Sequence, residues 1–409
     1  MPFWPTACAA CRRGLDGAIR RWQSLADRYA FTPAEAGAVQ RDLALAANRR
    51  DHAERVRLLD EVPAAAVDAL VDRARINAAL EERDWDMLAR WTAGTPSPDF
   101  NALRARYWYG RALEEQGRQE AAQLVFAELA RERDYYGFRA ADRIGADYSM
   151  NDHPTLVSEA ERAALLSNPG LVRARELLAL DHRYMARREW HHELKKMTRR
   201  ELEIAALLAH EWGWHDRAII TVGKAKAYDD LALRFPLKYQ EDVEYYADKR
   251  KVGVELLYSI MRAESAFMFD ARSPAGALGL MQLMPATARE TARRISLRYR
   301  GANQLKEPRI NIMLGSAYLA QMIKRHGGNF AMAAAAYNAG PHRVRAWRPK
   351  TACIPEDIWI ENIPFTETRR YVRRTLFFAT VYQWRLTQSV TPLASRSSGI
   401  PARTGASTC

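Results

Sequence analysis

Glu264 occupies the position in this sequence that best suits acid–base chemistry. Leu257, Ile260 and Met261 precede it at helical spacing, so its carboxyl group shares a helix face with apolar side chains. The same helix is expected to end at this glutamate, where the helix macrodipole is negative. Burial and the dipole both disfavour a negative charge, and both should raise the pKa of the carboxyl. The position therefore predicts a general acid that works near neutral pH.

The loop after Glu264 adds groups that could contact a polar ligand. Two glycines leave the main chain open to approach, a serine and a glutamine supply hydrogen bonds, and a methionine supplies a pliant apolar surface. These candidates are Ser273, Gly276, Gly279, Gln282 and Met284. Two structural alternatives stay open from the residues alone. The glutamate could pair with Arg262 or Arg272, and the methionine could belong to a core.

The elements that must position these groups are almost all helical. Residues 102–130 show an aromatic and leucine-rich helix, a break at Gly117, and an alanine-rich helix. This pattern is similar to a tetratricopeptide-like hairpin. Such hairpins stack into a solenoid because one alone cannot bury its apolar face. No segment alternates convincingly at period two, so we predict an all-α fold.

Changes in composition divide the chain into four predicted segments. A solenoid comes first, a helical linker domain follows it, a third domain carries Glu264, and a tail poor in apolar residues is expected to be disordered. Pro236 marks a hinge between the linker and the third domain, since proline disfavours helix for the residue before it. In chain order, the predicted segments are 1–146, 147–240, 241–388 and 389–409.

Bulk composition narrows the class of protein. The chain has 409 residues, 48% of them hydrophobic and 27% charged, as in ordinary globular domains. No apolar run is long enough to span a membrane. A net charge of +13 favours anionic partners, but acidic residues interrupt nearly every basic stretch. Charge alone does not support nucleic-acid binding, and we expect none.

The cysteines do not form the pattern of a metal site. Cys8 and Cys11 are spaced as C-x-x-C, but no second pair and no neighbouring histidines accompany them. Cys353 and Cys409 lie far from both in the sequence. We therefore predict no metal ion and no other cofactor.

Three sequence blocks resemble the signature of the lytic transglycosylases with a goose-lysozyme-like fold. The first combines E-S-A-F with S-P-A-G-A-L-G-L-M-Q-L-M-P, the second is A-A-Y-N-A-G-P, and the third is E-N-I-P-F-T-E-T-R-R-Y-V. They occur in the family's order within residues 264–372. Upstream, residues 133–145 and 234–239 resemble parts of the large soluble members, so the resemblance covers most of the chain.

The resemblance implies a lysozyme-like, mostly helical catalytic domain over residues 241–388, behind a helical solenoid. It implies cleavage of the MurNAc–GlcNAc β-1,4 bond of peptidoglycan without water, leaving 1,6-anhydro-MurNAc ends, with Glu264 as the single general acid/base. It also implies a periplasmic monomer without a cofactor. The positions that match groove-lining residues of the family are Ser273, Gln282, Met284, Tyr337 and Glu361, with a looser match at Tyr382.

Two departures from the family lead to further expectations. The first residues lack the pattern of a secretory signal, and the solenoid is shorter than in large members, so we expect an N-terminally shortened protein.

Two other functions remain open. One is a hydrolytic goose-type lysozyme on the same scaffold, and the other is a wall-binding protein without enzymatic activity.

Overall fold

The computed structural model describes residues 14–94, 101–396 and 399–403. Within these residues the chain is mainly α-helical, and its β-structure is limited to isolated bridges, among them those from Leu278 to Arg272 and to Leu283. The predicted all-α fold class is confirmed. The two 3₁₀-helices of this part of the chain are Ala64–Ala66 and Ala302–Lys306.

The α-helices of the described residues are numbered here in chain order. They are α1 (Leu15–Ala26), α2 (Pro33–Arg49), α3 (Arg55–Asp60), α4 (Ala69–Glu82), α5 (Trp85–Thr92), α6 (Ala102–Glu115), α7 (Gln119–Leu129), α8 (Tyr135–Ile144), α9 (Glu159–Leu166), α10 (Pro169–Ala179), α11 (Arg183–Glu193), α12 (Arg199–Glu211), α13 (His215–Ala225), α14 (Leu231–Arg234), α15 (Gln240–Arg250), α16 (Val254–Glu264), α17 (Pro285–Arg294), α18 (Pro308–Arg325), α19 (Phe330–Ala339), α20 (Pro341–Trp347), α21 (Glu356–Glu361), α22 (Thr366–Thr387) and α23 (Leu393–Arg396).

The chain divides into two compact units. Unit 1 comprises Met1–Ser149 together with Ile354–Pro364, and unit 2 comprises Met150–Cys353 together with Phe365–Cys409. Unit 1 therefore contains α1 to α8 and α21, although α21 lies late in the sequence. Unit 2 contains α9 to α20, α22 and α23.

Helices α6 and α7 of unit 1 form the predicted hairpin. Gly117 lies in the turn between them with φ +77, in the left-handed region that favours glycine. Tyr107 and Trp108 are buried in the core, as their helical spacing predicts. Gly110 allows the two helices to approach closely, because a Cβ atom there would lie 2.6 Å from the Phe126 ring.

Buried charges join α21 to the solenoid helices of unit 1. The Arg104 guanidinium of α6 lies 2.7 Å from a carboxylate oxygen of Glu361, and both side chains are at most 5% exposed. The Tyr136 hydroxyl of α8 donates a hydrogen bond of 2.6 Å to Glu361. The Tyr107 hydroxyl donates one of 2.7 Å to Asp357, whose pKa the surrounding arginines hold at about 2 against the effect of burial. Polar contacts therefore fix α21 in unit 1.

Two sequence features of unit 2 mark helix ends. The Asn168 side chain accepts hydrogen bonds from the backbone N–H groups of Gly170 and Leu171, so Asn168 is the N-cap of α10. Gly213, with φ +69, forms the turn between α12 and α13. Trp214 beside it packs 5.5 Å from Trp190 in the core of this helical layer.

The described residues of the predicted disordered tail are folded, which corrects that expectation. Leu393 is 1% exposed and Ile400 is fully buried. The Arg348 guanidinium donates a hydrogen bond of 3.0 Å to the carbonyl of Pro401. Low apolar content was a poor guide here, because two well-spaced apolar side chains suffice to anchor a short segment. The remaining tail residues lie outside the described part.

The cysteine of the described residues is oxidised, and these residues form no metal cluster. Cys353 is disulfide-bonded. The C-x-x-C pair and Cys409 lie outside the described residues. Within the described ranges, no group of three His, Cys, Asp or Glu side chains is placed to hold a metal ion. Nor does any helix in those ranges have the length and apolar character needed to cross a membrane.

Candidate active site

Glu264 is the last residue of α16, and its environment favours the protonated carboxyl. Leu257, Ile260 and Met261 on the same helix are fully buried, as the sequence predicts. Burial raises the pKa of Glu264 to about 7, and the nearby negative charge of Glu367 acts in the same direction. The carboxyl can therefore exist in either protonation state near neutral pH, which a general acid/base requires.

Two side chains of α22 oppose the effect of burial. Hydrogen bonding by Tyr371 and the positive charge of Arg374 both lower the pKa of Glu264. The Tyr371 contact falls short of full hydrogen-bond geometry, so we treat it as a weak interaction. Arg374 also donates a hydrogen bond of 3.1 Å to the carbonyl of Ala263, which places its charge beside the end of α16.

Glu264 makes no ion pair with the arginines that the sequence offers as partners. Arg262 instead donates a hydrogen bond of 2.7 Å to the carbonyl of Arg234. Arg272 is exposed on the following loop. The structural alternative in which an arginine neutralises the glutamate is therefore not realised among the described residues.

The polar side chains of the loop hold the loop itself. The Ser273 hydroxyl accepts a hydrogen bond of 3.0 Å from the backbone N–H of Ala277. The Gln282 amide donates bonds of 3.2 and 2.9 Å to the carbonyls of Ala271 and Gly279. Both groups lie where the sequence predicts a binding loop, but in this structure their hydrogen bonds are internal. Each remains only partly buried and retains further hydrogen-bonding capacity.

Asn311 fixes this loop, and sequence reasoning did not find it. Its side-chain oxygen accepts a hydrogen bond of 2.8 Å from the N–H of Met281, and its amide donates bonds of 3.0 and 2.8 Å to the carbonyls of Leu278 and Leu305. A Cβ atom on Gly279 would lie 2.1 Å from the Leu305 oxygen. The close approach at this glycine therefore comes from helix packing rather than from a ligand. A single asparagine within a helical pattern gave no signal of this role.

Tyr337 joins the loop to the glutamate. Its hydroxyl donates a hydrogen bond of 2.8 Å to the carbonyl of Met281. Burial raises the pKa of Tyr337 well above its usual value, and the charge of Glu264 contributes to the shift, so the two side chains are neighbours. The Ser265 hydroxyl donates a further bond of 2.8 Å to the carbonyl of Leu280. Unit 2 thus brings Glu264, Tyr337 and the loop together.

The remaining predicted groove residues have different surroundings. Met284 is 41% exposed and precedes α17, so its side chain is available to a ligand. Glu361 is buried in unit 1 against Arg104, and its role in a groove stays a prediction. Tyr382 is fully buried, with its ring stacked 4.9 Å from that of Tyr258, so the loose match there was wrong.

Family models match two regions of the chain, which lie mostly in unit 2. Residues 242–359 match the model described as Transglycosylase SLT domain, which reaches from α15 into α21. Residues 164–231 match the model described as Soluble lytic murein transglycosylase L domain.

Comparisons with known sequences and solved structures agree with both matches. The soluble lytic murein transglycosylase of Salmonella typhimurium is 34% identical over 79% of this chain and 50% of its own length. That of Escherichia coli K12 is 33% identical over 80% of this chain and 50% of its own length. The structure of an inactive mutant of the lytic transglycosylase Slt from Pseudomonas aeruginosa matches with a TM-score of 0.85 at 34% identity, covering 94% of this chain and 62% of that one. The chain spans about half the length of the curated relatives it matches. In sequence and in fold, this chain is similar to the soluble lytic murein transglycosylases.

Proposed function

We propose that this protein is a peptidoglycan lytic transglycosylase in which Glu264 is the single general acid/base. The observation that carries the proposal is the partly buried carboxyl at the end of α16, whose pKa desolvation raises to about 7. This carboxyl lies within the residues that match the transglycosylase SLT family model. Both features are needed, because a raised pKa alone also occurs at structural sites.

In the proposed reaction, protonated Glu264 donates its proton to the glycosidic oxygen between MurNAc and GlcNAc. The substrate's own N-acetyl group stabilises the positive charge that develops at C1 of the MurNAc ring. The Glu264 carboxylate then takes the proton of the C6 hydroxyl as that oxygen attacks C1. A 1,6-anhydro ring forms, the C1–oxygen bond to GlcNAc is broken, and no water is consumed.

The glycan groove of this proposal is built around the loop of unit 2. We assign Ser273, Gln282, Met284 and Tyr337 to it, since the first three lie on the loop and the fourth is bonded to it. General acid/base catalysis supplies about two to four powers of ten in rate. Positioning of the sugars by the groove must then supply much of the rest. We further propose that the protein acts as a monomer in the periplasm, with no cofactor.

Product masses test this function directly. Purified peptidoglycan is incubated with the native chain, and the soluble fragments are measured by mass spectrometry. Fragments lighter by one water than reducing-end sugars are expected, because the C6 hydroxyl rather than water attacks C1. Reducing-end products would indicate a lysozyme, for which Glu367 near Glu264 is the candidate base. Absence of any fragment would indicate a wall-binding protein.

The pH dependence should follow the protonation of Glu264. Since the acid must carry its proton, kcat/KM is expected to fall as the pH rises through about 7. Tyr371→Phe removes the weak interaction that lowers the pKa of Glu264, so the alkaline limb of the variant's profile should lie at higher pH than that of the native chain. The measurement is a pH profile of both proteins. An unchanged limb in the variant, or a limb displaced to lower pH, would contradict the assignment of Glu264 as the acid.

A further inference from the structure

Unit 2 contains a second cavity whose lining does not include Glu264. Its volume is about 460 Å³, within the usual range of small-molecule sites. Helices α10 to α13 form one side, with Trp212 and Gly213 at the turn, and Met268 and Phe269 of the loop after the glutamate form the other. Residues from both regions that match family models therefore line the cavity.

Lys238 points to an anionic occupant of this cavity. Its ammonium group donates a hydrogen bond of 2.9 Å to the carbonyl of Gly213, but no carboxylate pairs with it among the described residues. Burial lowers the pKa of Lys238, the charge of Arg183 lowers it further, and Asp216 only partly opposes them. A cation in this position is compensated only in part, because Asp216 acts on it without forming an ion pair.

Arg175 is a second cation of the cavity without an ion-pair partner in the described chain. Its guanidinium lies 5.6 Å from the centroid of the Trp212 ring. An arginine stacked in this way keeps its N–H groups free for a carboxylate. The guanidinium of Arg183, at the start of α11, lies 4.8 Å from the ring centroid of Phe269 on the opposite wall. Aromatic faces and cationic groups therefore alternate around the cavity.

The acidic residues of the lining are already engaged. Asp216 lies 3.1 Å from Arg217 and 3.9 Å from Arg187. Glu211 is held by both terminal nitrogens of the Arg162 guanidinium. Both carboxylates therefore have arginine partners, and Asp216 offsets the charge of Lys238 only in part. The cationic side chains of the lining outnumber its carboxylates, so the excess charge of the cavity is positive.

We propose that this cavity is a binding site for a small peptide that carries free carboxylates. The carboxylates would contact Lys238 and Arg175, and the apolar part of the peptide would lie against Trp212 and Phe269. The proposal goes beyond the transglycosylase activity and does not depend on it, because binding at this place requires no step at Glu264.

Calorimetric titration of the full chain with the dicarboxylate acetyl-Ala-Glu tests the proposal. The matched control ligand is acetyl-Ala-Gln-amide, which has the same size and no charge. The dicarboxylate is expected to bind and the amide not to bind. Lys238→Met should weaken binding about tenfold or more, the usual effect of losing a hydrogen bond to a charged group. Arg175→Gln should act in the same direction, and since Arg175 is exposed, its loss does not threaten the fold.

Lys251→Gln is the control for a general effect of charge, since Lys251 is 81% exposed, lies outside the cavity and pairs with Asp248. The affinity of the Lys251→Gln variant for acetyl-Ala-Glu should equal that of the native chain. Three results would each overturn the proposal: no binding by the native chain at millimolar ligand, equal binding of the amide, or unchanged affinity in both cavity variants. The calorimetric measurement does not depend on activity towards peptidoglycan. The binding proposal can therefore hold even if the proposed function fails.

Discussion

Glu264→Gln is expected to lower the rate of peptidoglycan cleavage by about two to four powers of ten and, above pH 7, to make the chain more stable. The loss of rate follows because an amide cannot donate or accept the proton of the proposed reaction. The gain in stability follows because the amide resembles the neutral carboxyl, which this partly buried site prefers.

The sign of the stability effect comes from the two pKa values of Glu264. Its pKa is about 7 in the folded chain, against 4.5 for a glutamate carboxyl in water. The folded state therefore binds the proton more tightly, so the native chain is most stable below the unfolded pKa and loses stability as the pH rises through 7. At about 1.4 kcal/mol per pKa unit, the loss is on the order of 3 kcal/mol. The glutamine variant should not show it.

Urea unfolding of both proteins at pH 4.5 and pH 8, together with the cleavage rate, checks this prediction. The two unfolding free energies should be similar at the lower pH and should differ at the higher one. Glu244→Gln is the control, since Glu244 lies exposed on α15 and should change neither rate nor stability. A variant that is inactive and also less stable at pH 8 would mean that Glu264 has a structural role.

Arg104→Met is expected to destabilise unit 1 by about 3 kcal/mol. The change removes the guanidinium that lies 2.7 Å from the Glu361 carboxylate, where the side chains are 5% and 1% exposed. A buried carboxylate without its cation is costly, although the Tyr136 hydroxyl still donates a hydrogen bond to it. The measurement is urea unfolding followed by a probe in unit 1.

Arg106→Met, two residues further along α6, is the matched control. Arg106 pairs with Glu128, and both side chains are more than half exposed, so its loss should change stability by less than about 1 kcal/mol. Adding Glu361→Leu to Arg104→Met removes the unpaired charge and should recover part of the loss. If Arg104→Met and Arg106→Met changed the free energy of unfolding equally, the buried pair would not stabilise unit 1.

The same series tests the predicted role of Glu361 in substrate binding. A structural carboxylate should give Glu361→Gln a lower unfolding free energy with kcat and KM little changed in the protein that remains folded. A groove residue should instead raise KM while stability stays near that of the native chain. The buried ion pair in unit 1 favours the first result.

Local sequence patterns determined the helices and the place of the acid. Leu257, Ile260 and Met261 define a buried face that continues to Glu264, and helical periodicity alone predicted that burial. The hairpin of α6 and α7 followed in the same way from apolar spacing and from Gly117 in the turn. These features rest on interactions between residues a few positions apart, which the sequence displays directly.

Contacts between residues far apart in the chain decided the conformation of the loop, the place of Glu361 and the environment of Lys238. The sequence does not display such contacts. Asn311 holds the loop from 30 positions away, and Gly279 is required by the Leu305 carbonyl rather than by a ligand. Glu361 pairs with Arg104 in unit 1 although it follows most of unit 2 in the chain. The unpaired charge of Lys238 likewise appears only when its neighbours are known. Helical periodicity predicts which face of its helix a side chain occupies. Only the tertiary structure shows which residue of another element that side chain contacts.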